Sequence, residues 1–475
     1  MHNHGQFIAG TWREVGYSPD LINVLNKYTE ERIGRLVVAS AEEVDAAVAA
    51  ADRAAATVEP SPRERHQALS RASDLLRERA EDFASLLVQE VGKTIREARA
   101  EVANAVEALL NAAEEAKRIC GEIVPINANV GVGGSFAFTM RVPAGPVCAI
   151  TPFNSPLNIV AHKVGSAIAA GNPVVVKPSE LAPLNTAWFA SLMAEAGLPS
   201  GYLSVVFGGP NVAIQLCRDA RFARYSFTGG RRAGLQIAGA IGLRPATMEL
   251  GPAGPTFVHF DADLDSAVRR VAVAAFGIAG QVCTSVQRLY VHAAVHDQFV
   301  KALLSVVGAM RLGDPRLEET DVGPVVSHEA AQRALQWVQE AVAAGASVLI
   351  GGHRKGKLVE PTVLANTTPD MRVQCQEAFA PLLSVIPYDD LITSVKQDNL
   401  ISRGGLQAGI FTSDIATAFA FARHARAGGV MVNDTSRFRA PNMPFGGVGN
   451  AGHGKEGPAY AIRELTDTRT VVLHM

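Results

Sequence analysis

Cys283 closes the turn Gly280-Gln281-Val282-Cys283, a run of mostly small residues ahead of a predicted strand. Upstream, Met248-Glu249-Leu250-Gly251 sets one carboxylate in an apolar frame. A thiolate attacks carbonyl carbon well, and a nearby carboxylate can then activate water. The pair therefore points to oxidation of an aldehyde through a covalent thioester. Either residue alone is a weak sign, because a lone cysteine is most often a small buried hydrophobe. Further signals elsewhere in the chain give the pair its weight.

These residues need a scaffold that delivers them to one place. The chain has 475 residues, long enough for two or three domains. It is 48 % hydrophobic and 19 % charged, the balance of a soluble globular protein. A net charge of −2 gives no reason to expect nucleic acid or an anionic membrane as partner. Arg63, Arg65, Arg71, Arg77 and Arg79 are interleaved with acids and read as a solvated helix face. The five cysteines, Cys120, Cys148, Cys217, Cys283 and Cys375, are widely spaced with no CxxC, which fits a reducing compartment. No signal peptide and no bilayer-length apolar run is evident, so the expected location is cytoplasmic. The twelve histidines never take a ligand spacing, and no metal is expected.

Residues 7–38 read as short strands and turns. Ser40-Ala41-Glu42-Glu43 is a capping box that opens an Ala-rich helix to about Ala56. Ser61-Pro62-Arg63-Glu64 opens a second, predicted as one long helix towards Val91. A third helix is expected from Ile95 to Ile119. Residues 121–140, with Gly131, Gly133, Gly134 and alternating Phe136-Ala137-Phe138, read either as a hairpin covered by a partner or as a surface loop. From residue 147, short apolar strands alternate with helices through Leu250, implying a doubly wound parallel sheet. Such sheets bind ligands beyond the carboxyl ends of their strands. Asn154, Lys177, Gly229 and Glu249 all fall at or just past such ends. A second α/β region follows Gly251.

Gly447-Val448-Gly449-Asn450-Ala451-Gly452 matches GxGxxG literally. Too little chain follows it to build a βαβ unit, so it is rejected as a dinucleotide fingerprint. The better cofactor segment is Val174-Val175-Val176-Lys177-Pro178-Ser179-Glu180. Lys177 suits ribose hydroxyls, and Glu180 accepts from a 2′-hydroxyl while repelling a 2′-phosphate, which favours NAD over NADP. Phe227-Thr228-Gly229-Gly230 precedes a helix whose N-terminal N–H groups suit a pyrophosphate.

With Pro152-Phe153-Asn154-Ser155-Pro156, Glu377-Ala378-Phe379 and Pro444-Phe445-Gly446-Gly447 added, the chain resembles the aldehyde dehydrogenase superfamily over nearly its whole length. The resemblance implies an α/β fold: a Rossmann-type cofactor domain (1–120 and 141–250), a catalytic domain (251–450) and a small β oligomerisation flap (121–140 and 451–475), assembled as a homodimer or homotetramer. It makes Cys283 the nucleophile, with the Asn154 amide and the Cys283 N–H as oxyanion hole. Glu249 activates the hydrolytic water. Lys163 and Glu456 fall where some members are proposed to relay protons from that base. Lys177 and Glu180 bind the adenosine ribose of NAD, with NADP possible, and Gly209 lies beside the adenine. Glu377 and Phe379 hold the nicotinamide end. Thr151, Pro152, Phe153, Ser179, Gly229, Gly230, Leu250 and Gly251 complete the cofactor set.

Some positions depart from the family pattern. Pro252-Ala253-Gly254-Pro255 replaces the usual Gly-Lys-Ser-Pro, so the backbone beside the base is expected to differ. Phe153 replaces a common Trp, Ala380 a usual Gly, and Asn450 lies where Lys and Ser are frequent. None removes a group the chemistry needs. Thr435-Ser436-Arg437-Phe438-Arg439 and Ala161-His162-Lys163-Val164-Gly165 resemble the lactaldehyde, non-phosphorylating glyceraldehyde-3-phosphate and phosphonoacetaldehyde branch. Arg437 is then either an anchor for an anionic or hydroxylated substrate or a surface salt bridge. Phosphate-recognising members tend to carry Arg just before the nucleophile. Val282 stands there, which argues for a small neutral or weakly polar aldehyde. Transfer of the acyl group to coenzyme A is the competing enzyme reading, and the carboxylate of Glu249 counts against it. A non-catalytic descendant is opposed by the presence of Cys283, Glu249 and Asn154 together.

Overall fold

The computed structural model describes residues 2–14, 20–132, 134–251 and 254–474. Gly133 and the Pro252-Ala253 departure lie outside the described residues.

Two serine caps start helices as expected, and Thr94 adds a third cap that was not expected from sequence. Ser40, Ser61 and Thr94 each accept from the backbone three residues on, and Glu43, Glu64 and Glu97 reach back to the cap N–H. Such a box is worth about 1 kcal/mol. The helix expected from 61 to 91 is instead two, Pro62–Glu78 and Ala80–Val91. Arg79 leaves the helical region at φ −108°, ψ 22°, and its guanidinium reaches Glu195 at 2.6 Å.

An eight-stranded sheet runs Gly452–His453, Ala246–Leu250, Arg224–Gly229, Val147–Ile150, Val174–Lys177, Leu203–Val205, Phe7–Ile8, Thr11–Trp12. The middle five strands are parallel. The chain climbs from the 147 strand to the 174 and 203 strands, then crosses back to the 224 and 246 strands. The order therefore reverses between Val147–Ile150 and Arg224–Gly229, and this switch point is where such sheets open a crevice. Register aligns the rim: Ile150 pairs with both Lys177 and Phe227, and Thr228 pairs with Glu249. The Pro156–Ala170 helix covers the sheet and is buried along almost its whole length. Buried on nearly every side, it packs between the sheet and the Ile95–Ala116 helix, so closely that a Cβ on Gly165 would lie 3.3 Å from Ala112.

A second sheet has seven strands: Ser347–Ile350, Thr362–Ala365, Leu382–Tyr388, Arg288–His292, Thr256–Val258, Gly405–Phe411 and Ala427–Val432. All its pairings are parallel except the first. The turn carrying Cys283 feeds its Arg288–His292 strand. A third, small sheet joins Thr466–His474 to Ser135–Pro143 over nine residue pairs, with Ile123–Val124 beyond. The 121–140 segment and the C-terminus thus meet. Gly452–His453, from the segment assigned to the flap, instead borders the eight-stranded sheet against Ala246–Leu250.

Candidate active site

A cavity of about 370 Å³ opens at the switch point. Cys283, Glu249 and Asn154 line it together with Thr151, Pro152, Phe153, Lys177, Ser179, Glu180, Gly229, Gly230, Gly251, Glu377 and Phe379. Residues more than 200 positions apart therefore converge on one cleft between the two large sheets. Of the sequence-derived cofactor set, Gly209 and Leu250 lie outside this lining. Gly209 sits behind Glu180, its hypothetical Cβ 3.6 Å from the carboxylate, and the Leu250 side chain packs back on Gly234. Ile159, Leu181 and Ala233 also line the cavity, and only their positions just after strand ends hinted at it.

Phe153 and Phe379 form an edge-to-face wall, ring centres 5.7 Å apart at 82°. Phe379 takes a left-handed φ of 49°, on the residue before Ala380. Glu377 is pressed against Gly251, where any side chain would collide with its carboxylate. Burial raises the Glu377 carboxyl to about 7, with Arg333 only partly opposing. Lys177 is buried, donates to the Pro178 carbonyl at 2.8 Å and faces Glu180 at 3.8 Å. Burial lowers its ammonium below the ordinary lysine value, against the pull of Glu180.

The nucleophile turn is strained. Ile278, Ala279 and Gly280 all take left-handed backbone, at φ 53°, 51° and 69°. For Ile and Ala that costs on the order of 1–3 kcal/mol each and persists only if neighbours over-determine it. Glu97 accepts from the Ile278 N–H at 2.7 Å, and the Gln281 side chain bridges the Ile278 carbonyl (3.0 Å) and the Val326 N–H (2.8 Å). Gly280 passes so close to the Ala380 carbonyl that no side chain fits. The Asn154 loop is held differently. Ser155 does not cap the following helix, and Glu101, from the Ile95–Ala116 helix, accepts from Leu157 and Asn158 N–H at 3.0 Å each while pairing with buried Lys93.

Burial pushes the Cys283 thiol up to about 12; Glu377, Glu249 and Glu456 add to this and Arg439 opposes it. Burial likewise raises Glu249 well above the carboxylate range, reinforced by Glu456. Neither Glu249 oxygen has a hydrogen-bond partner among the described residues, and Gly446 lies so close that its Cβ would fall 2.8 Å from Oε1. Lys163 and Glu456 do not line the cavity. They pair with each other at 2.8 Å in a small polar void behind it, where Lys163 also donates to Ser226 at 2.8 Å and Arg439 reaches Glu456 at 3.0 Å. Burial alone raises Glu456, but Lys163 and Arg439 outweigh it and hold the carboxylate at about 2. Arg439 stacks 4.0 Å over Phe445 and was not singled out from sequence. Arg437 is outside the cavity lining: its guanidinium covers Gly277 and donates to the Val273 carbonyl at 2.5 Å.

The described residues also fit a dinucleotide. Gly229 and Gly230 precede the Arg231–Ile241 helix, and nothing lies within 4 Å of a Cβ on Gly230. The buried Thr151 hydroxyl has no partner among the described residues. Among those residues no cluster of His, Cys, Asp and Glu is arranged to hold a metal ion, and no helix is long and apolar enough to cross a membrane.

Comparison with known proteins gives the same direction. The model of the aldehyde dehydrogenase family matches residues 12–471. A 3-sulfolactaldehyde dehydrogenase of Priestia megaterium is 44 % identical, covering 100 % of this chain and 99 % of the relative. An aspartate-semialdehyde dehydrogenase 1 of Pseudomonas canavaninivorans is 40 % identical, covering 96 % and 97 %. The crystal structure of aldehyde dehydrogenase 21 from Physcomitrella patens, in complex with the reaction product succinate, superposes with a TM-score of 0.96 at 34 % identity, covering 100 % and 98 %. The chain belongs to the aldehyde dehydrogenase family, oxidoreductases that oxidise aldehydes with NAD or NADP.

Proposed function

We propose that this enzyme oxidises a short aldehyde bearing a non-phosphate acidic or hydroxyl substituent, preferring NAD, through a thioester on Cys283 that water hydrolyses. The observation carrying this reading is that Cys283, Glu249 and Asn154 line one cavity with Lys177 and Glu180. Burial lifts the Cys283 thiol and the Glu249 carboxyl together. A carboxylate with a raised pKa is a stronger base, so proton transfer from the thiol is less uphill than to an ordinary one. The Asn154 amide and the Cys283 N–H then face the developing oxyanion, where one such donor in a dry site contributes about 3–4 kcal/mol. Glu249 next takes a proton from the water that cleaves the thioester. Lys163 and Glu456 sit behind it as the exit for that proton.

For the cofactor, Lys177 and Glu180 hold the adenosine ribose, Gly229 and Gly230 the pyrophosphate, and Glu377 and Phe379 the nicotinamide end. When bound, the oxidised nicotinamide would supply the hydride acceptor and a further positive charge near the thiol. Glu180 repels a 2′-phosphate, which supports NAD. Two arginines outside the cavity lining, Arg439 and Arg437, bear electrostatically on Cys283 and suit an acidic substituent. The names of the sulfolactaldehyde and aspartate-semialdehyde relatives move the reading from the neutral or weakly polar aldehyde expected from Val282 towards an acidic one, while Val282 still speaks against phosphate. Exposed Phe136, Met140, Val472 and Leu473 on the small sheet support a homodimer or homotetramer. Five unpaired thiols support the cytoplasm. The cofactor and catalytic segments enter this reading with the boundaries given above, and the flap as 121–140 with 451–475 less the Gly452–His453 strand that borders the eight-stranded sheet.

Reduced-nicotinamide absorbance tests it, with NAD and then NADP, against 3-sulfolactaldehyde, aspartate semialdehyde, lactaldehyde and glyceraldehyde 3-phosphate, without coenzyme A. Turnover of the sulfonated or carboxylated aldehydes with NAD is expected. Cys283→Ser should abolish oxidation and leave NAD binding intact. Wild-type turnover in that variant, an absolute need for coenzyme A, or a strong preference for the phosphate ester sinks the reading.

A further inference from the structure

The nucleophile turn adopts a conformation its own residues resist, so something outside it must impose that conformation. Three consecutive left-handed residues, Ile278 to Gly280, deliver Cys283 three positions later, and two of them carry side chains. The first N–H of the run does not bond within the turn. It donates to Glu97 Oε1 at 2.7 Å, across 181 residues of sequence. The other oxygen of the same carboxylate, Oε2, accepts from Thr94 N–H at 3.0 Å, so the carboxylate is fixed at the first turn of the Ile95–Ala116 helix. Arg437 also lies against the start of this turn, over Gly277, and its charge interacts with that of Glu97. One helical turn further along, Glu101 holds the start of the helix that follows Asn154. Residues four apart project from one helix face. The two carboxylates therefore fix the nucleophile turn and the Asn154 loop to one rigid body.

We propose that Glu97 is a positioning residue for Cys283: its carboxylate imposes the left-handed turn and so sets the thiol against the Asn154 side of the cavity. The inference rests on Cys283 being the nucleophile. It goes beyond that by giving a role to a helix of the cofactor half that contributes no side chain to the cavity lining. Losing the bond removes the one acceptor that rewards Ile278 for a left-handed backbone. The turn then relaxes towards ordinary φ and carries Cys283 with it. The helix itself loses only part of its cap.

The test separates placement from stability. Site-resolved alkylation of Cys283 by iodoacetamide, followed by peptide mass spectrometry, reads the thiol directly and needs no aldehyde. Glu97→Ala is expected to slow alkylation and kcat together, by about five- to tenfold, with the NAD dissociation constant unchanged. Glu97→Gln keeps an acceptor for Ile278 and should restore both to within about twofold. Thr94→Ala breaks the capping box without touching Ile278; it should lower the melting temperature yet alkylate at the wild-type rate. Wild-type alkylation in Glu97→Ala overturns the proposal, as does an equal loss of reactivity in Thr94→Ala. Failure of the underlying reading looks different: Cys283→Ser would still oxidise aldehydes, whatever the Glu97 variants do.

Discussion

Glu249 and Glu456 are both buried carboxylates that act on Cys283, and their surroundings push their pKa values in opposite directions. Glu249 has burial with no hydrogen-bond partner among the described residues, and its carboxyl is raised well above the ordinary carboxylate range. Glu456 has burial with Lys163 at 2.8 Å and Arg439 at 3.0 Å, and is held ionised. Desolvation acts on both, so the two cations decide the difference. Carboxyl groups whose pKa values are pushed apart mark the division of acid and base work. Glu249, the raised one, lines the cavity together with the thiol, and Glu456, the lowered one, lies outside that lining as a negative charge. That charge raises Glu249 further and makes it the better base.

The sharpest break in this contrast is Glu249→Gln. It keeps the shape and removes the base, and steady-state turnover should fall by about 10²–10⁴. Rapid-mixing measurement of reduced nicotinamide should also show a slowed first turnover, because the same carboxylate is assigned the thiol proton. An undiminished steady state would remove Glu249 from the mechanism. Lys163→Met attacks the other carboxylate by stripping its closest cation. Breaking a buried ion pair from one side costs about 3–5 kcal/mol. Arg439 remains, so the urea midpoint should report the lower end of that range. A loss below about 1 kcal/mol would mean that Arg439 alone keeps Glu456 ionised.

Glu377 sharpens the comparison because it falls between the two extremes. It is buried like the others, with only Arg333 opposing, and its carboxyl lies near 7. The sign follows from linkage. Its folded value is raised, so the apo protein takes up a proton over the window from the ordinary carboxylate value to about 7, and ionisation costs stability as pH rises through that window. On the proposed role of Glu377 at the nicotinamide end, ribose hydroxyls would donate to its ionised form, so NAD binding should tighten as pH rises and level off above about 7. Below that point the dissociation constant should change by up to about tenfold per pH unit. Calorimetric titration from pH 5.5 to 8.5 checks it, and Glu377→Gln should remove the slope. A slope that survives the substitution would assign it to another group.

Local signals made much of this arrangement readable before any coordinates. Short apolar strands alternating with helices place Asn154, Lys177, Gly229 and Glu249 at strand ends, and strand ends of a parallel sheet share a rim. No residue of the rejected GxGxxG lines the cavity, and the use it has was not foreseen. Gly452 takes φ 109° and lies so close to the Met248 carbonyl that a Cβ would collide there, which lets Gly452–His453 pair along Glu249's own strand. Ile278 and Ala279 gave no warning of left-handed backbone, because neither residue type favours it and the acceptor that enforces it is 181 residues away. Arg437 and Arg439 are two apart, and nothing in their spacing tells that one lies over Gly277 and the other reaches Glu456. Arg79 interrupts a helix whose sequence continues smoothly, because its partner Glu195 belongs to another element. Information carried by one segment was legible, whereas pairings between distant segments were not.

The gentlest probe of the contrast is Ser226→Ala. Lys163 makes two bonds of equal length, 2.8 Å to Ser226 Oγ and 2.8 Å to Glu456 Oε1. One acceptor is neutral and the other charged, so equal distances need not mean equal worth. Both bonds share a charged donor and fall in the range of about 1.5–3 kcal/mol, and the pair with Glu456 adds the attraction of opposite charges. Removing the hydroxyl leaves Lys163 its carboxylate, so the ammonium stays paired and the state of Glu456 should not change. The expected loss is about 1–2 kcal/mol in urea unfolding, with kcat within about twofold of wild type. If Ser226→Ala instead slowed turnover as much as Lys163→Met, the hydroxyl would be part of the proton exit and not merely a support for the cation. The ionised carboxylate would then depend on a chain of bonds running back to the Arg224–Gly229 strand, and the difference between Glu249 and Glu456 would be a property of that whole chain.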